Sequence, residues 1–242
     1  MSRIAIFSDI HSNLPALEKV VEDATAQNVN SFACLGDIVG YGPNPSECVS
    51  YMQELKCVCI KGNHDEYIQD SFDLAHFNDQ AREALEWTRN SLSIGQKSWL
   101  ASLPYTKRIG RNMLVHASID SPEQWNYVRN GFDASMMMQK QNTPLCFYGH
   151  THIPVIYEMQ GSSAKKIKPD QLTIKKGSKY LINTGSVGQP RDGDTRASYV
   201  IFDKIQNSIE FRRVKYDMQK VVNEITATSL PDTLAERLQE AS

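Results

Sequence analysis

The sequence predicts an α/β fold built around a parallel sheet. Two observations carry this. From the N-terminus onward, short apolar runs alternate with segments of helical periodicity, giving a βαβαβ opening. Several of the apolar runs then end in short clusters of His, Asp, Asn and Gly. In parallel sheets the loops at the carboxyl ends of the strands converge on one edge, so such clusters meet there.

Residues 3–8 are apolar, short and closed by a polar turn, which predicts a buried strand. Asn13 then caps a helix with Pro15 in its first turn. Leu14, Leu17, Val20, Val21 and Ala24 recur at helical spacing, and Asn28 stops it. Residues 31–35 form a second strand. A Gly/Pro-rich loop over 40–45 leads to a helix over about 46–55, and 57–60 form a third strand. Residues 66–101 are helical in character and carry Phe72, Phe77, Trp87 and Trp99. A strand is expected over 112–117, a less regular stretch with Trp125, Tyr127 and Phe132 over 122–143, and a strand over 145–148. The remainder is strand-rich, at 155–158, 180–183, 198–203 and 209–214. C-terminal helices follow over about 217–240, broken near Pro231. No repeat, low-complexity tract or shift in composition divides the chain, so a single domain over 1–242 is expected.

Composition excludes several classes. A net charge of −2 gives no global attraction to nucleic acid or anionic membrane. The run over 4–7 is too short for a signal-peptide core, and no segment reaches the ~20 apolar residues that span a bilayer. The 5 cysteines are odd in number and show no C-x-x-C spacing; Cys34, Cys57, Cys59 and Cys146 lie in apolar runs and read as reduced core residues of a cytoplasmic protein. Lys165, Lys166, Lys168, Lys175, Lys176 and Lys179 cluster in one stretch, read as a solvated hairpin or loop in preference to a phosphate- or nucleic-acid-steering patch.

The chemistry sits at the strand ends. Asp9 and His11 follow the first strand, Gly36-Asp37 the second and Gly62-Asn63-His64-Asp65 the third. His116 follows a later strand and Gly149-His150-Thr151-His152 another; only His76 of the histidines lies outside this pattern. In Asp9-Ile10-His11 and His150-Thr151-His152 the polar side chains are two apart, so they share a face if the chain stays extended. Asp9, His11, Asp37, Asn63, His116, His150 and His152 exceed what one first-row metal requires. Because a carboxylate can bridge, they suit two metal ions ~3.5–4 Å apart with a bridging water. Singly, each motif is as well explained by a cap, a turn or a satisfied histidine. Together, in this order, they are not.

Asp9-x-His11, Gly36-Asp37-x-x-Gly40, Gly62-Asn63-His64-Asp65, His116 and Gly149-His150-x-His152 resemble the signature of the calcineurin-like metallophosphoesterase superfamily. Gly185-Ser186-Val187-Gly188 is similar to the late glycine-serine turn of its small prokaryotic members, which include phosphodiesterases and dinucleoside polyphosphate hydrolases. The resemblance implies a four-layer α/β/β/α sandwich of two mixed sheets flanked by helices. It implies that Asp9, His11, Asp37 and His152 hold one metal and Asp37, Asn63, His116 and His150 the other, Asp37 bridging. His64 is expected beside the metals as the acid for the leaving oxygen, with Asp65 orienting it through its other ring nitrogen. The implied reaction is hydrolysis of phosphate esters or anhydrides of small molecules by in-line attack of a metal-bridging hydroxide.

Departures narrow the class. Val39-Gly40-Tyr41-Gly42 and Asp65 stand where protein serine/threonine phosphatases carry arginine and glutamate, which favours phosphodiesters, nucleotides or dinucleoside polyphosphates. Tyr41, Asn44, Arg191 and Arg196 are candidate substrate contacts, against the alternatives of a rigid turn and surface salt bridges. A phosphomonoesterase or protein phosphatase, and a non-catalytic scaffold of the same fold, are the competing classes; the complete ligand set and His64 argue against the scaffold. Manganese is expected first, with iron, zinc, nickel and cobalt compatible. The expected partner is a small phosphorylated substrate, with neither membrane nor nucleic acid, and the oligomeric state is left open.

Overall fold

A computed structural model describes residues 2–74 and 79–242; His76 and Phe77 lie outside the described residues. Its strands are β1 Arg3–Phe7, β2 Ser31–Cys34, β3 Val58–Cys59, β4 Thr106–Ile109, β5 Asn112–Val115, β6 Leu145–Tyr148, β7 Val155–Gln160, β8 Ser163–Ile167, β9 Gln171–Thr173, β10 Tyr180–Asn183, β11 Ala197–Asp203 and β12 Ser208–Val214. The helices are α1 Leu14–Ala26, α2 Pro45–Leu55, α3 Asn63–Tyr67, α4 Asp79–Ser91, α5 Ile94–Ser102, α6 Gly131–Lys140, α7 Met218–Thr226 and α8 Thr233–Glu240.

The strands form two mixed sheets, ordered β3-β2-β1-β11-β12-β9 and β4-β5-β6-β10-β7-β8. The expected βαβαβ opening is present, since β1, β2 and β3 run parallel. In the second sheet β5, β6 and β10 run parallel. Strand alternation sorts the side chains into layers. Ile4 and Ile6 of β1 face Phe147 of β6 and Ile182 of β10 in the core between the sheets. Ala5 and Phe7 turn outward to Leu17, Val20 and Val49 of α1 and α2. Cys146 and Tyr148 turn the other way, to Ala134, Met137 and Met138 of α6. Both faces of the central strands are therefore buried, which is why they read as unbroken apolar runs. The result is the four-layer sandwich.

Some elements differ from expectation. The stretch over 122–143 contains α6, capped by the Asn130 side chain, which accepts from the Phe132 and Asp133 amides. Its signal is weak because Phe132 and Met136 face solvent, blurring the apolar stripe. Strand β4 pairs antiparallel with β5 across a tight turn at Gly110, whose φ is +62°. The lysine-rich stretch is a hairpin strand, β8 on β7, followed by β9, which pairs with β12 at the edge of the other sheet. Among the described residues, no helix is long and apolar enough to cross a membrane.

Candidate metal centre

The carboxyl ends of β1, β2, β3, β5 and β6 deliver their loops to one edge of the sandwich. Backbone bonds lace these loops together. The Asp9 and His11 amides donate to the Gly36 and Asp37 carbonyls, and the Gly149 amide donates to that of His116. The chain is not extended there. Asp9, His11, Asp37, His150 and His152 have φ of +55°, +46°, +53°, +67° and +61°, all in the sparsely populated left-handed region. The expectation of residues two apart sharing a strand face is thus corrected. The pairs converge because each loop coils left-handed, a strain held by the cross-loop bonds and concentrated at the site.

Close approach also requires glycine. A Cβ on Gly149 would lie 2.1 Å from Ser8 Oγ and 2.5 Å from Asp9 Oδ2, and one on Gly62 would lie 2.1 Å from Asp37 Oδ1. These glycines let backbone press against the carboxylates.

All seven expected ligands come together, and Asp9, His11, Asp37, His116, His150 and His152 are buried. His152 Nε2 lies 3.4 Å from Asp9 Oδ1, and His11 Nε2 lies 3.6 Å and His116 Nε2 3.3 Å from Asp37 Oδ2. The ligand atoms of Asp9, His11 and His152 fall within 4.8 Å of one another, as do those of Asp37, His116 and His150, and those of His11, Asp37 and His64.

The tautomers follow from the backbone. Nδ1 of His11, His116 and His152 lies 3.2, 2.8 and 2.6 Å from the carbonyl oxygens of Val39, Leu35 and Gln189. A carbonyl can only accept, so each Nδ1 carries a proton and donates it. In the neutral rings of His11 and His152 this leaves each Nε2 an acceptor, turned inward. His11 Nε2 and His152 Nε2 then face each other at 3.1 Å, whereas His116, whose ring keeps both protons beside Asp37, can donate from Nε2 to Asn63 Oδ1 at 3.2 Å. An acceptor pair beside two buried carboxylates suits a cation between them, and imidazoles fixed through Nδ1 are oriented as metal ligands are. His150 Nε2 is likewise buried without a partner. The donor set fits first-row divalent metals.

The electrostatics agree. Burial pushes the Asp9 carboxyl up to about 7, and neighbouring Asp37 adds to the rise. Burial opposes ionisation of Asp37 as well, but His116 and His64 outweigh it and hold that carboxyl well below its ordinary value. Burial alone would lower His116; the Asp37 and Asp9 carboxylates reverse this and raise it to about 9. Burial drives His150 down to about 3 and lowers His11 and His152 also, keeping their lone pairs free. The pocket thus calls for positive charge at the carboxylates.

The remaining expected residues divide. His64 is buried, its ring 4.9 Å from that of His11 and 4.4 Å from that of Tyr41, with Nδ1 unpartnered. Asp65 does not orient it, which corrects that expectation. Its Oδ2 accepts from the Asp37 and Gly62 amides at 2.8 and 3.0 Å, and its Oδ1 from those of Ile38 and Val39 at 2.9 and 3.3 Å. Lying in the first turn of α3, its side chain folds back onto these free amides and away from the His64 ring. Asp65 is therefore the clamp that locks the Asp37 loop to the Asn63 loop. Tyr41 also packs on His11 at 4.6 Å, and the Arg191 guanidinium stands 5.7 Å from the Tyr41 ring. Asn44 instead donates to Glu224 at 3.1 Å, and Arg196 forks onto Asp194 at 2.6 and 2.9 Å. Their side chains are engaged by carboxylates away from the cluster.

Sequence reasoning missed two aromatic supports, Tyr127 stacked on His150 at 4.0 Å and Trp125 edge-on to His116 at 5.8 Å. It also missed the three carbonyls that set the tautomers. Backbone acceptors leave no trace in residue identity, and the aromatics lie in a stretch without a readable period.

Comparison with known proteins agrees with this geometry. A family model described as the calcineurin-like phosphoesterase superfamily domain matches residues 2–207. An uncharacterised protein of Methanocaldococcus jannaschii is 39% identical over 241 residues, covering 98% of this chain and 97% of that one. The phosphodiesterase YfcE of Escherichia coli K12 is 25% identical, covering 84% and 88%. Among solved structures, a metallophosphoesterase from Sphaerobacter thermophilus superposes with a TM-score of 0.89 at 38% identity, covering 100% of this chain and 99% of that one. The chain belongs to the calcineurin-like phosphoesterase superfamily and is a metal-dependent phosphoric ester hydrolase.

Proposed function

We propose that the chain hydrolyses phosphoric esters or anhydrides of small molecules at a dinuclear metal centre, with phosphodiesters, nucleotides and dinucleoside polyphosphates as the preferred substrates. The observation that carries this is the opposition of acceptors at 3.1 Å between His11 and His152, with two buried carboxylates beside them. Asp9, His11, Asp37 and His152 would hold one ion, and Asp37, Asn63, His116 and His150 the other, with manganese the first candidate. When bound, such ions supply Lewis acidity toward phosphoryl oxygens and a water acidic enough to act near neutral pH.

The side chains do the rest. Asp37 serves both halves because its carboxylate is held from two directions. Oδ1 accepts from the His64 amide at 2.8 Å, which leaves Oδ2 toward His11 and His116. Asp9 accepts from the His150 amide at 3.1 Å, which ties the first loop to the last. His64 gives a proton to the leaving oxygen, its ring set by the face of Tyr41 and by Gly40, where a Cβ would stand 2.4 Å from Nδ1. Tyr41 and Arg191 flank the entrance and meet the phosphate or its substituent. One domain over 1–242 is supported by the core the two sheets share, and a reducing cytoplasm by five free cysteines.

The test is a substrate panel with added manganese: p-nitrophenyl phosphate, its bis-ester, cyclic nucleotides, diadenosine tetraphosphate and a phosphopeptide. Preference for the diester or the polyphosphate is expected. Preference for the phosphopeptide would replace this reading with a protein phosphatase.

A further inference from the structure

Beside the metal centre lies a cleft of about 430 Å³, of whose walls the reaction above uses Arg191 alone as a substrate contact. It adjoins the centre at three points. Tyr127 is the ring stacked on His150, Thr151 stands between His150 and His152, and Arg191 overlies Tyr41. One wall is apolar and open, with Tyr127 43% and Ile153 42% exposed. The other is cationic, formed by Arg129, Lys166 and Arg191.

Two features equip these cations for an anion. None of the three has a carboxylate partner among the described residues. Arg129 lies over the Tyr127 ring at 4.3 Å, and Arg191 bonds the neutral Gln189. Other basic groups beside a carboxylate are neutralised by it, as Lys175 is by Glu158 and Arg212 by Asp23. Strand register also selects Lys166 from the lysine-rich stretch. It pairs with Tyr157, a residue of the cleft wall, whereas Lys165 pairs with Glu158 and takes the opposite face of the hairpin. Unpaired cations gathered on one wall of a cleft repel, so the arrangement gains by taking an anion.

We infer that this cleft receives the part of the substrate beyond the scissile phosphate, and that this part carries a second phosphate and a flat apolar group, as a nucleoside polyphosphate does. Lys166 and Arg129 bind the second phosphate, with Arg191 at the junction with the metal centre. The flat group lies against Ile153 and the edge of the Tyr127 ring, whose faces His150 and Arg129 cover. The assignment rests on the hydrolytic reading above and narrows it, since a plain diester with two apolar arms leaves the cations unused.

The test compares turnover of diadenosine tetraphosphate with that of bis(p-nitrophenyl) phosphate by the manganese-loaded full chain. Wild type is set against Lys166→Glu and Arg129→Gln, both at exposed positions. The ratio of the two kcat/KM values is expected to fall at least tenfold in each variant, through KM for the polyphosphate. A smaller fall in both variants overturns the assignment. If wild type turns over neither substrate, the hydrolytic reading fails by itself, and binding decides this one. Tripolyphosphate is then titrated calorimetrically into chelator-treated protein, where Lys166→Glu is expected to bind at least fivefold more weakly than wild type. Equal binding, or none to wild type, refutes the second-phosphate site.

Discussion

Adding one methyl group at residue 62 tests the centre at its tightest point. The Gly62 backbone, at φ −104° and ψ 177°, is one alanine adopts freely, so Gly62→Ala brings no backbone penalty. The cost is contact alone. The new carbon would stand 2.1 Å from Asp37 Oδ1, 2.7 Å from its Cγ and 2.4 Å from its amide nitrogen. Ordinary carbon–oxygen contact begins about 1 Å further out. Asp37 has little room to yield, because its amide is held by Asp65 at 2.8 Å and its Oδ1 by the His64 amide at 2.8 Å. Metal–ligand distances tolerate about 0.2 Å, so a shift of about 1 Å would take Asp37 out of the shared-ligand role proposed for it. Disturbing the residues behind metal ligands costs roughly 10–100-fold in affinity, and displacing the ligand itself is expected to cost at least the upper figure. Overpacking costs about 1–3 kcal/mol, or roughly 3–10 °C in melting temperature at this chain length. The assay is calorimetric titration of chelator-treated protein with manganese, together with elemental analysis of the loaded protein and a melt of each form. Gly95→Ala is the control. Gly95 lies within α5 with nothing inside 4 Å of its would-be Cβ, and alanine there should stabilise by about 0.5–1 kcal/mol. If Gly62→Ala binds the same number of ions at wild-type affinity, Asp37 is not the shared ligand.

Other outcomes follow from the same geometry. His64→Ala should retain metal while turnover falls by about 10²–10⁴; loss of metal in this variant would show that His64 ligates alongside His11 and Asp37. Asp65→Ala leaves four amides without their acceptor and should destabilise by about 3 kcal/mol or more in a denaturant titration. Exhaustive chelation should abolish turnover, and manganese at about 100 times its dissociation constant should restore it and add about 2.7 kcal/mol of stability. Activity that survives chelation rules out the metal reaction.

Much of the site could be read from residue identities because metal ligation uses few residue types. His11, His116, His150 and His152 have little reason to follow apolar runs beside Asp9, Asp37 and Asn63 except to share cations, and the structure gathers all seven. The central strands were equally legible, since two-sided burial writes an unbroken apolar run such as residues 145–148. Where one face looks to solvent and the other is short, as in α6 and β8, the period was too weak to read.

Residue identity by itself determined the candidate ligand set, the parallel opening and the class of chemistry. Tertiary structure alone decided what each polar group faces. Asp65 could as well orient His64 as clamp backbone, and only its position in the first turn of α3, over the Asp37 loop, settles it for the amides. The left-handed turns at Asp9 and His11 are likewise imposed by bonds to residues 36–38, and the tautomers by carbonyls as distant as Gln189. The physical reason is the same throughout. Which atoms are ligands depends on residue chemistry and travels with the sequence. Direction, protonation and strain depend on backbone partners that folding brings from elsewhere in the chain.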